Sequence, residues 1–428
     1  MSRYTKFSRL RPTADDCQVM YSMKPVSTKA ATRPSAGVSL GLFSVLHAAN
    51  DQYNAFLAAI MPLLIDRFGF GLGIAGILAA VQSTSTSFAQ PVFGWFLDRA
   101  RRQPSILLWP AVTAISLSLY GLVPSYHWLF PLLIIGGLST AAFHPHATAA
   151  VPAVAGSRAG LGMAFFVSGG TVGYALGPVI IIWVVQTFGL EFTWLAALPT
   201  LALCLVLYRL GLGSVATPAL VPEHRRRQFP LKLAQLRPLA AVFSIVALRS
   251  TIGTAYMSFL GVHLREIGFP YMQVGVALMS FTAAGAVGGM IGGYLSDRLG
   301  RKTIILTGLA LIGPAFWLLL QARGSAVWMF MPLAGFAMAS FNPVTVVMAQ
   351  DLLPNNRGTA AGLIMGLGWS VGGLLVGIVG ALAQAYGLQV VLGNLLWLLI
   401  PALAIALTLP GKYGRADAPV VRQEQAAS

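Results

Sequence analysis

Apolar residues run along this chain in long unbroken blocks, not in the short alternations of half-buried helices or strands. Twelve blocks stand out, at 38–65, 74–97, 105–123, 129–150, 160–187, 193–213, 239–262, 272–296, 304–320, 327–350, 359–386 and 389–409. A helix rises about 1.5 Å per residue and a hydrocarbon core is about 30 Å thick, so each block is long enough, or nearly so, to cross a bilayer. The pattern predicts an all-α integral membrane protein with twelve transmembrane helices. An even number of crossings puts both termini on one side.

Composition removes the soluble alternative. Hydrophobic residues make up 56% of the 428 positions, charged residues 9%, and mean hydropathy is +0.74. Soluble domains average about a quarter charged, and no soluble core extends over nearly the whole of a chain this long. The net charge of +16 raises nucleic acid as a partner, but its placement argues otherwise. The N-terminal tail carries seven Lys and Arg, and the loops at 98–103, 151–159, 214–238, 297–303 and 351–358 carry three, one, five, three and one. The C-terminal tail adds three, giving 23, against Arg67, Arg265 and Arg323 on the opposite side. Such a bias predicts a multi-pass membrane protein with both termini cytoplasmic.

Cys17 falls in the tail and Cys204 in the sixth block, so neither a disulfide framework nor a metal site is expected. Residues 1–36 are polar and basic without an apolar core, which excludes a secretory signal and is read as a disordered cytoplasmic tail. Met20 and Met23 offer alternative starts, and the Arg and Ser content is a weaker fit to an organelle transit peptide.

The chain repeats itself at an interval near 199 residues. Gly94-Trp-Phe-Leu-Asp98-Arg99 matches Gly293-Tyr-Leu-Ser-Asp297-Arg298, and Phe143-His144-Pro145 matches Phe341-Asn342-Pro343. Arg158 and Arg357 open equivalent loops, followed by Ala159-Gly160-Leu161-Gly162-Met163 and Ala361-Gly362-Leu363-Ile364-Met365. The expected organisation is a tail at 1–36, a six-helix bundle at 37–213, a basic linker at 214–238, a pseudo-symmetric second bundle at 239–409 and a tail at 410–428. The loop motif of the second half reads Gly293, Asp297, Arg298, Gly300, Arg301, Lys302. It resembles the signature of the major facilitator superfamily, whose fold is two such parallel six-helix repeats. The first copy, with Gly94, Asp98, Arg99 and Arg102, is degraded, since Arg101 stands where the second glycine belongs. A carboxylate and several cations in a tight turn can pair with neighbouring helix ends and act as a cytoplasmic gate. The competing reading is that they do no more than hold positive-inside charge.

Glycines recur within the blocks, notably Gly169, Gly170, Gly173 and Gly177-Pro178 in the fifth. Small residues at this spacing bring helix backbones together. The Gly173-x-x-x-Gly177-Pro178 element also resembles a motif of antiporters in the superfamily, although close packing explains it as well.

Ionisable residues deep in a membrane are costly and default to function. Asp51 lies about 13 residues into its helix, about 20 Å along it, and His47, Asn50, Asp51 and Asn54 share a face by their three- and four-residue spacing. Arg249 reaches a similar depth in the seventh block. The repeat places it opposite position 50, so Asp51 and Arg249 are expected to approach each other across a central cavity. Burial favours a protonated carboxyl and a neighbouring cation favours an ionised one, a balance that suits proton coupling or substrate binding. A static ion pair is the competing reading, and Arg249 can also bind an anionic substrate directly. His144, before Pro145, is read either as a proton relay or as a donor to a freed backbone carbonyl. His146 is turned away from it. Asn54, Ser83, Thr86, Gln90, Tyr174, Tyr256, Asn342 and Trp369 are expected to line the cavity, though hydroxyls also bond within their own helix. No cofactor is expected.

His47-Ala-Ala-Asn50-Asp51, Phe143-His144-Pro145, the segment from Gly160 to Pro178 and Gln350-Asp351-Leu352-Leu353-Pro354 resemble the fosmidomycin-resistance branch of the superfamily over residues 40–410. The resemblance implies a bacterial inner-membrane drug exporter that exchanges substrate for protons, and a phosphonate anion as a partner for Arg249. His146 stands where that branch carries an acidic residue, which removes one proton carrier. The expectation is a secondary active transporter that works by alternating access, as a monomer, exporting small anionic compounds against protons. Uptake or uniport of an organic anion or sugar-like nutrient is the nearest alternative. A non-transporting membrane sensor or scaffold is a more distant one. The absence of any nucleophile–base constellation, metal cluster or phosphate loop argues against an enzyme.

Overall fold

The computed structural model describes residues 36–99, 104–155, 159–213, 233–353 and 357–411, and every regular element among them is helical. We number twelve passes. α1 spans 36–68, as Ala36–Asp51, a 3-10 turn at Gln52–Ala55 and Phe56–Phe68. α2 spans 72–99, as Leu72–Ser87 and Ala89–Arg99. α3 is Leu108–Ser118 with a 3-10 turn at Leu119–Gly121, α4 is Leu129–Ala155 and α5 is Ala159–Phe188. α6 is Leu190–Arg209, α7 Leu233–Glu266, α8 Tyr271–Leu299, α9 Arg301–Gln321 and α10 Ala326–Leu352. α11 spans 357–386 and α12 is Leu388–Leu407.

Ten of these are long and apolar enough to cross a membrane, and Leu108–Gly121 is a shorter apolar helix. The twelfth, α1, is long but carries a polar centre. α7 starts at Leu233, so the last six positions of the 214–238 stretch belong to its first turns. Residues 214–232, 1–35 and 412–428, most of the expected linker and tails, lie outside the described residues.

The helix pairings repeat with an offset of six. α1 packs on α5, α2 on α4, and α3 on α4 and α6; correspondingly α7 packs on α11, α8 on α10, and α9 on α10 and α12. In hydrocarbon, helices gain little by hiding apolar surface from each other, so close backbone approach at small residues carries much of the packing. The motif glycines show this in both halves. A β-carbon at Gly94 would lie 3.6 Å from Pro145 of α4, and one at Gly293 would lie 3.8 Å from Pro343 of α10. The Gly-x-x-x-Asp motif thus begins at the point where α2 and α8 rest on the prolines of α4 and α10.

Between the halves, α2 packs on α11, α5 on α8, and the segment Phe56–Phe68 of α1 on α7. These contacts lie towards the far side, away from the basic loops. Gly76 faces the Val376 carbonyl and Gly380, Gly275 faces Pro178 and Ile182, and Gly261 faces the Ala58 carbonyl. The Gly73 N–H donates to Gln384 Oε1 at 2.9 Å, and Tyr271 Oη donates to Asp66 at 3.3 Å. The halves are therefore zipped together on the far side, mostly backbone to backbone.

A side chain at Gly76 has no room, because its neighbours are backbone atoms of α11 that cannot swing aside. Gly76→Val is expected to part α2 from α11. Spin labels at Phe188 and Tyr386, both exposed at the far ends of their halves, should then show a longer mean distance by pulsed electron resonance. An unchanged distance would mean that this seam does not hold the far side shut.

Candidate functional site

The polar centre of α1 coincides with a change in its backbone. The α-helix ends at Asp51, and Gln52–Ala55 continue as a 3-10 turn before the α-helix resumes at Phe56. Mid-helix 3-10 stretches are often hinges. This one is fastened from outside: Tyr53, fully buried, places its hydroxyl 2.9 Å from the Ala196 carbonyl and 2.6 Å from Thr200 Oγ1 of α6. Gln52 Nε2 reaches the same Thr200 at 3.4 Å. The Gln52 carbonyl points at Gly177 of α5, where any side chain would collide with it.

Asp51, at this break, is held between two imidazoles. Its Oδ2 lies 3.1 Å from Nε2 of His47, one turn earlier in α1, and its Oδ1 lies 3.4 Å from Nε2 of His144 on α4. Asn50 Nδ2 donates to Oδ1 at 3.0 Å. The Asp51 side chain is 17% exposed and that of His144 25%, so the cluster is not fully enclosed. Each histidine is anchored by its other nitrogen. Nδ1 of His47 is 2.7 Å from the Phe166 carbonyl of α5, and Nδ1 of His144 is 2.9 Å from the Thr140 carbonyl. His144 thus reaches the Thr140 carbonyl with one nitrogen and faces Asp51 with the other. The His47 ring stacks on Phe166 with centroids 4.1 Å apart and meets the His144 ring edge-on at 5.3 Å.

α5 can come this close to α1 because of its glycines. Gly169, Gly173 and Gly177 face the backbones of Ser44, Ala48 and Gln52 in succession, and Gly170 faces the His47 ring and Asp51 Oδ2. Close packing therefore accounts for the Gly173-x-x-x-Gly177 spacing without an antiporter-specific role.

The expected approach of Asp51 to Arg249 does not occur. Arg249, 7% exposed, donates from Nη1 to the Met338 carbonyl at 3.1 Å and lies 6.0 Å from the Phe341 ring, both on α10 of its own half. The repeat explains why: Arg249 corresponds to position 50, not 51, about 100° round the helix. Asn50 is likewise fully buried within its own bundle. Among the described residues, no carboxylate lies within ion-pairing distance of Arg249.

Other expected residues divide. Tyr256 is not a cavity wall: it is fully buried, donates to the Leu392 carbonyl at 3.0 Å and meets Phe316 edge-on at 4.3 Å, inside the second bundle. Thr86 and Gln90 bond back along α2, to the Gln82 and Thr86 carbonyls. Ser83 faces Gly373 of α11. Tyr174 is half-buried and within electrostatic range of Asp51. Oδ1 of Asn50, Asn54 and Asn342 is buried and makes no hydrogen bond among the described residues. Trp369 is 36% exposed, just after a π-helical turn at Leu363–Gly368. His146 accepts from Trp109 Nε1 at 3.0 Å, on the side of α4 turned to α3.

In the second loop motif, Gly300 has φ 92°, a left-handed conformation open to glycine. That turn sets Arg301 against Asp297 at 2.5 Å and Ser296 at 2.7 Å, and lets Nε reach Asp351 at the end of α10 at 3.4 Å. Arg298 lies over the Tyr294 ring at 4.4 Å. Asp351 and Ser296 were missed as partners, since only the fold brings α10 to this turn. The side chains of Asp98 and Arg99, and Arg102 altogether, lie outside the described residues.

Comparison with known proteins agrees with this architecture. The profile of the Major Facilitator Superfamily matches residues 42–262 and 239–427, one match to each half. The fosmidomycin resistance protein of Escherichia coli (strain K12) is 26% identical over 381 residues, covering 86% of this chain and 92% of that protein. An uncharacterised transporter of the same type from Bacillus subtilis (strain 168) is 28% identical, covering 85% and 91%. Among solved structures, a bacterial homologue of the human lysosomal transporter Spinster, inward-facing and occupied, superposes with a TM-score of 0.71 at 14% identity over 88% of this chain and 97% of that one.

Gly170 is the position on which the cluster geometry depends most directly. Gly170→Val should push His47 off the Phe166 carbonyl and cost about 1–3 kcal/mol by overpacking. Gly41→Ala, in open space, should be neutral. Thermal unfolding of the two purified variants in detergent checks the contrast, and equal midpoints would contradict it.

Proposed function

The chain belongs to the Major Facilitator Superfamily, and on that premise we propose that it is a secondary active transporter that exports small anionic compounds in exchange for protons. That it is a multi-pass membrane transporter, and not an enzyme, follows from the family and its relatives. The finer reading rests on one observation: a partly exposed carboxylate, Asp51, sits between imidazoles of two helices at a break in α1. Imidazoles exchange protons near physiological pH, and intramembrane proton relays are built from chains of Asp, Glu and His.

Arg249 supports the anionic substrate. Among the described residues the buried guanidinium has one hydrogen-bond acceptor, a backbone carbonyl, beside the Phe341 ring, which leaves most of its five donors available. A carboxylate or phosphonate would match that fork. Seams between the halves run along the far side, and among the described residues the basic-loop side shows only looser approaches such as Gly366 to Pro91. With the basic loops cytoplasmic and the protein in the inner membrane as a monomer, this arrangement faces inward and is ready to load substrate from the cell. Protons entering from outside would compete for the opposite arrangement, which gives exchange.

Purified protein in liposomes, given a pH gradient and a panel of phosphonates, organic anions and common drugs, tests the proposal. Gradient-driven flux is expected in wild type and background flux in Asp51→Asn. Arg249→Gln should weaken anionic substrates more than neutral ones. Robust flux that ignores both the gradient and the Asp51 substitution would make the protein a uniporter.

A further inference from the structure

The hydrogen bonds around Asp51 fix more than its neighbours; they fix how many protons the cluster carries. A backbone carbonyl can only accept, so the 2.7 Å contact from His47 Nδ1 to the Phe166 oxygen requires a hydrogen on Nδ1. The 2.9 Å contact from His144 Nδ1 to the Thr140 oxygen requires the same. A neutral imidazole has one N–H. If both rings were neutral, each would hold an electron-rich, unprotonated Nε2 beside the carboxylate, at 3.1 and 3.4 Å. Two such contacts are repulsive, and burial strengthens the repulsion. A single proton, wherever it sits, relieves only one of them.

We infer that the cluster in this arrangement holds two exchangeable protons, one on Nε2 of His47 and one on Nε2 of His144, with Asp51 ionised between them. Both protons come from water in the cleft and return to it, so the step is an acid–base exchange with no other reactant. The remaining groups are consistent with this occupancy. From its own helix Asp51 meets His47 and Asn50, from α4 His144, and from α5 Tyr174. α3 carries no ionisable side chain within Leu108–Ser118, and Cys204 of α6 turns to the Leu107 carbonyl instead. Arg209, at the end of α6, makes no ion pair with Asp51.

A divalent metal would also satisfy two lone pairs and a carboxylate, and the three donor atoms lie within 4.8 Å of one another. Nε2 of His47 meets Oδ2 at 3.1 Å without the alignment of a hydrogen bond. An attraction between whole charges tolerates that geometry, and the chelator arm of the experiment below separates it from a shared metal. The inference relies on the proposed transport only for the role of the two protons, not for their presence.

Solid-state NMR of the full-length protein in lipid, labelled with 15N-histidine, reads the occupancy directly. His47→Gln and His144→Gln assign the two rings. At about pH 6, near the ordinary imidazole range, both rings in wild type should be imidazolium, with all four nitrogens protonated. They should remain so after treatment with a chelator. In Asp51→Asn both should become neutral with the hydrogen on Nδ1, and in Asp51→Glu both should stay charged, which guards against simple misfolding of the Asn variant. One imidazolium, none, or signals that change on chelation would overturn the count. Gradient-driven flux with a single imidazolium would overturn the two-proton count while leaving proton coupling in place. Two imidazolium rings without gradient-driven flux would uphold the count and remove the coupling.

Discussion

A carboxylate inside a bilayer cannot rely on bulk water, so the protein must supply its counter-charges and donors. At Asp51 that requirement is met by two imidazoles and an amide, and much of the first bundle is arranged to deliver them. His47 comes from the same helix one turn away, but its ring is fixed only because the Phe166 carbonyl and ring of α5 are within reach. They are within reach because α5 presents glycine wherever α1 presents backbone. His144 is oriented by its own helix through the Thr140 carbonyl. The break that follows Asp51 is pinned to α6 by Tyr53 and Thr200. Remove the glycine face, and the cluster loses its walls.

The second half repeats the scaffold without repeating the chemistry. Arg249 and Asn342 stand at the positions equivalent to 50 and 144, so a cation and an amide occupy the corresponding region of the other bundle. Each half thus contributes one polar centre of its own, and among the described residues no ion pair links the two centres. Halves that do not depend on each other for charge neutralisation can rock apart at little electrostatic cost, which suits alternating access. Energetics favour more than one proton for such a device. Swinging a two-state equilibrium from 1:99 to 99:1 takes about 5.5 kcal/mol. One elementary charge moved through 100 mV supplies about 2.3 kcal/mol. Two protons at ordinary membrane potentials come close to the requirement, and one falls well short.

Much of this was legible in the sequence, for physical reasons. Spans are written as apolar blocks because hydrocarbon tolerates little else, and the repeat exposed the two bundles before any coordinates. His47 and Asp51 were readable as a pair because four residues make one turn. What lay beyond reach depended on rotation and on distant segments. A one-position offset in the repeat turned Arg249 about 100° away from the partner expected for it. Tyr256 looked like a cavity wall because an aromatic with a hydroxyl reads as amphipathic, and only the fold shows the Leu392 carbonyl that receives it. The role of Gly300 in seating Arg301 between Asp297 and Asp351 needed the end of α10, fifty positions away. The 3-10 turn in α1 and the π turn in α11 carry no period that a hydrophobic pattern can report.

If proton exchange at the cluster of His47, Asp51 and His144 drives the proposed transport, its occupancy sets which side of the protein is open. The most direct measurement follows the distance between labels on the far ends of the two halves as pH is varied, in wild type and in Asp51→Asn. The account predicts a distance distribution that shifts with pH in wild type and is indifferent to pH in the variant. A distribution that shifts equally in both, or in neither, would contradict it.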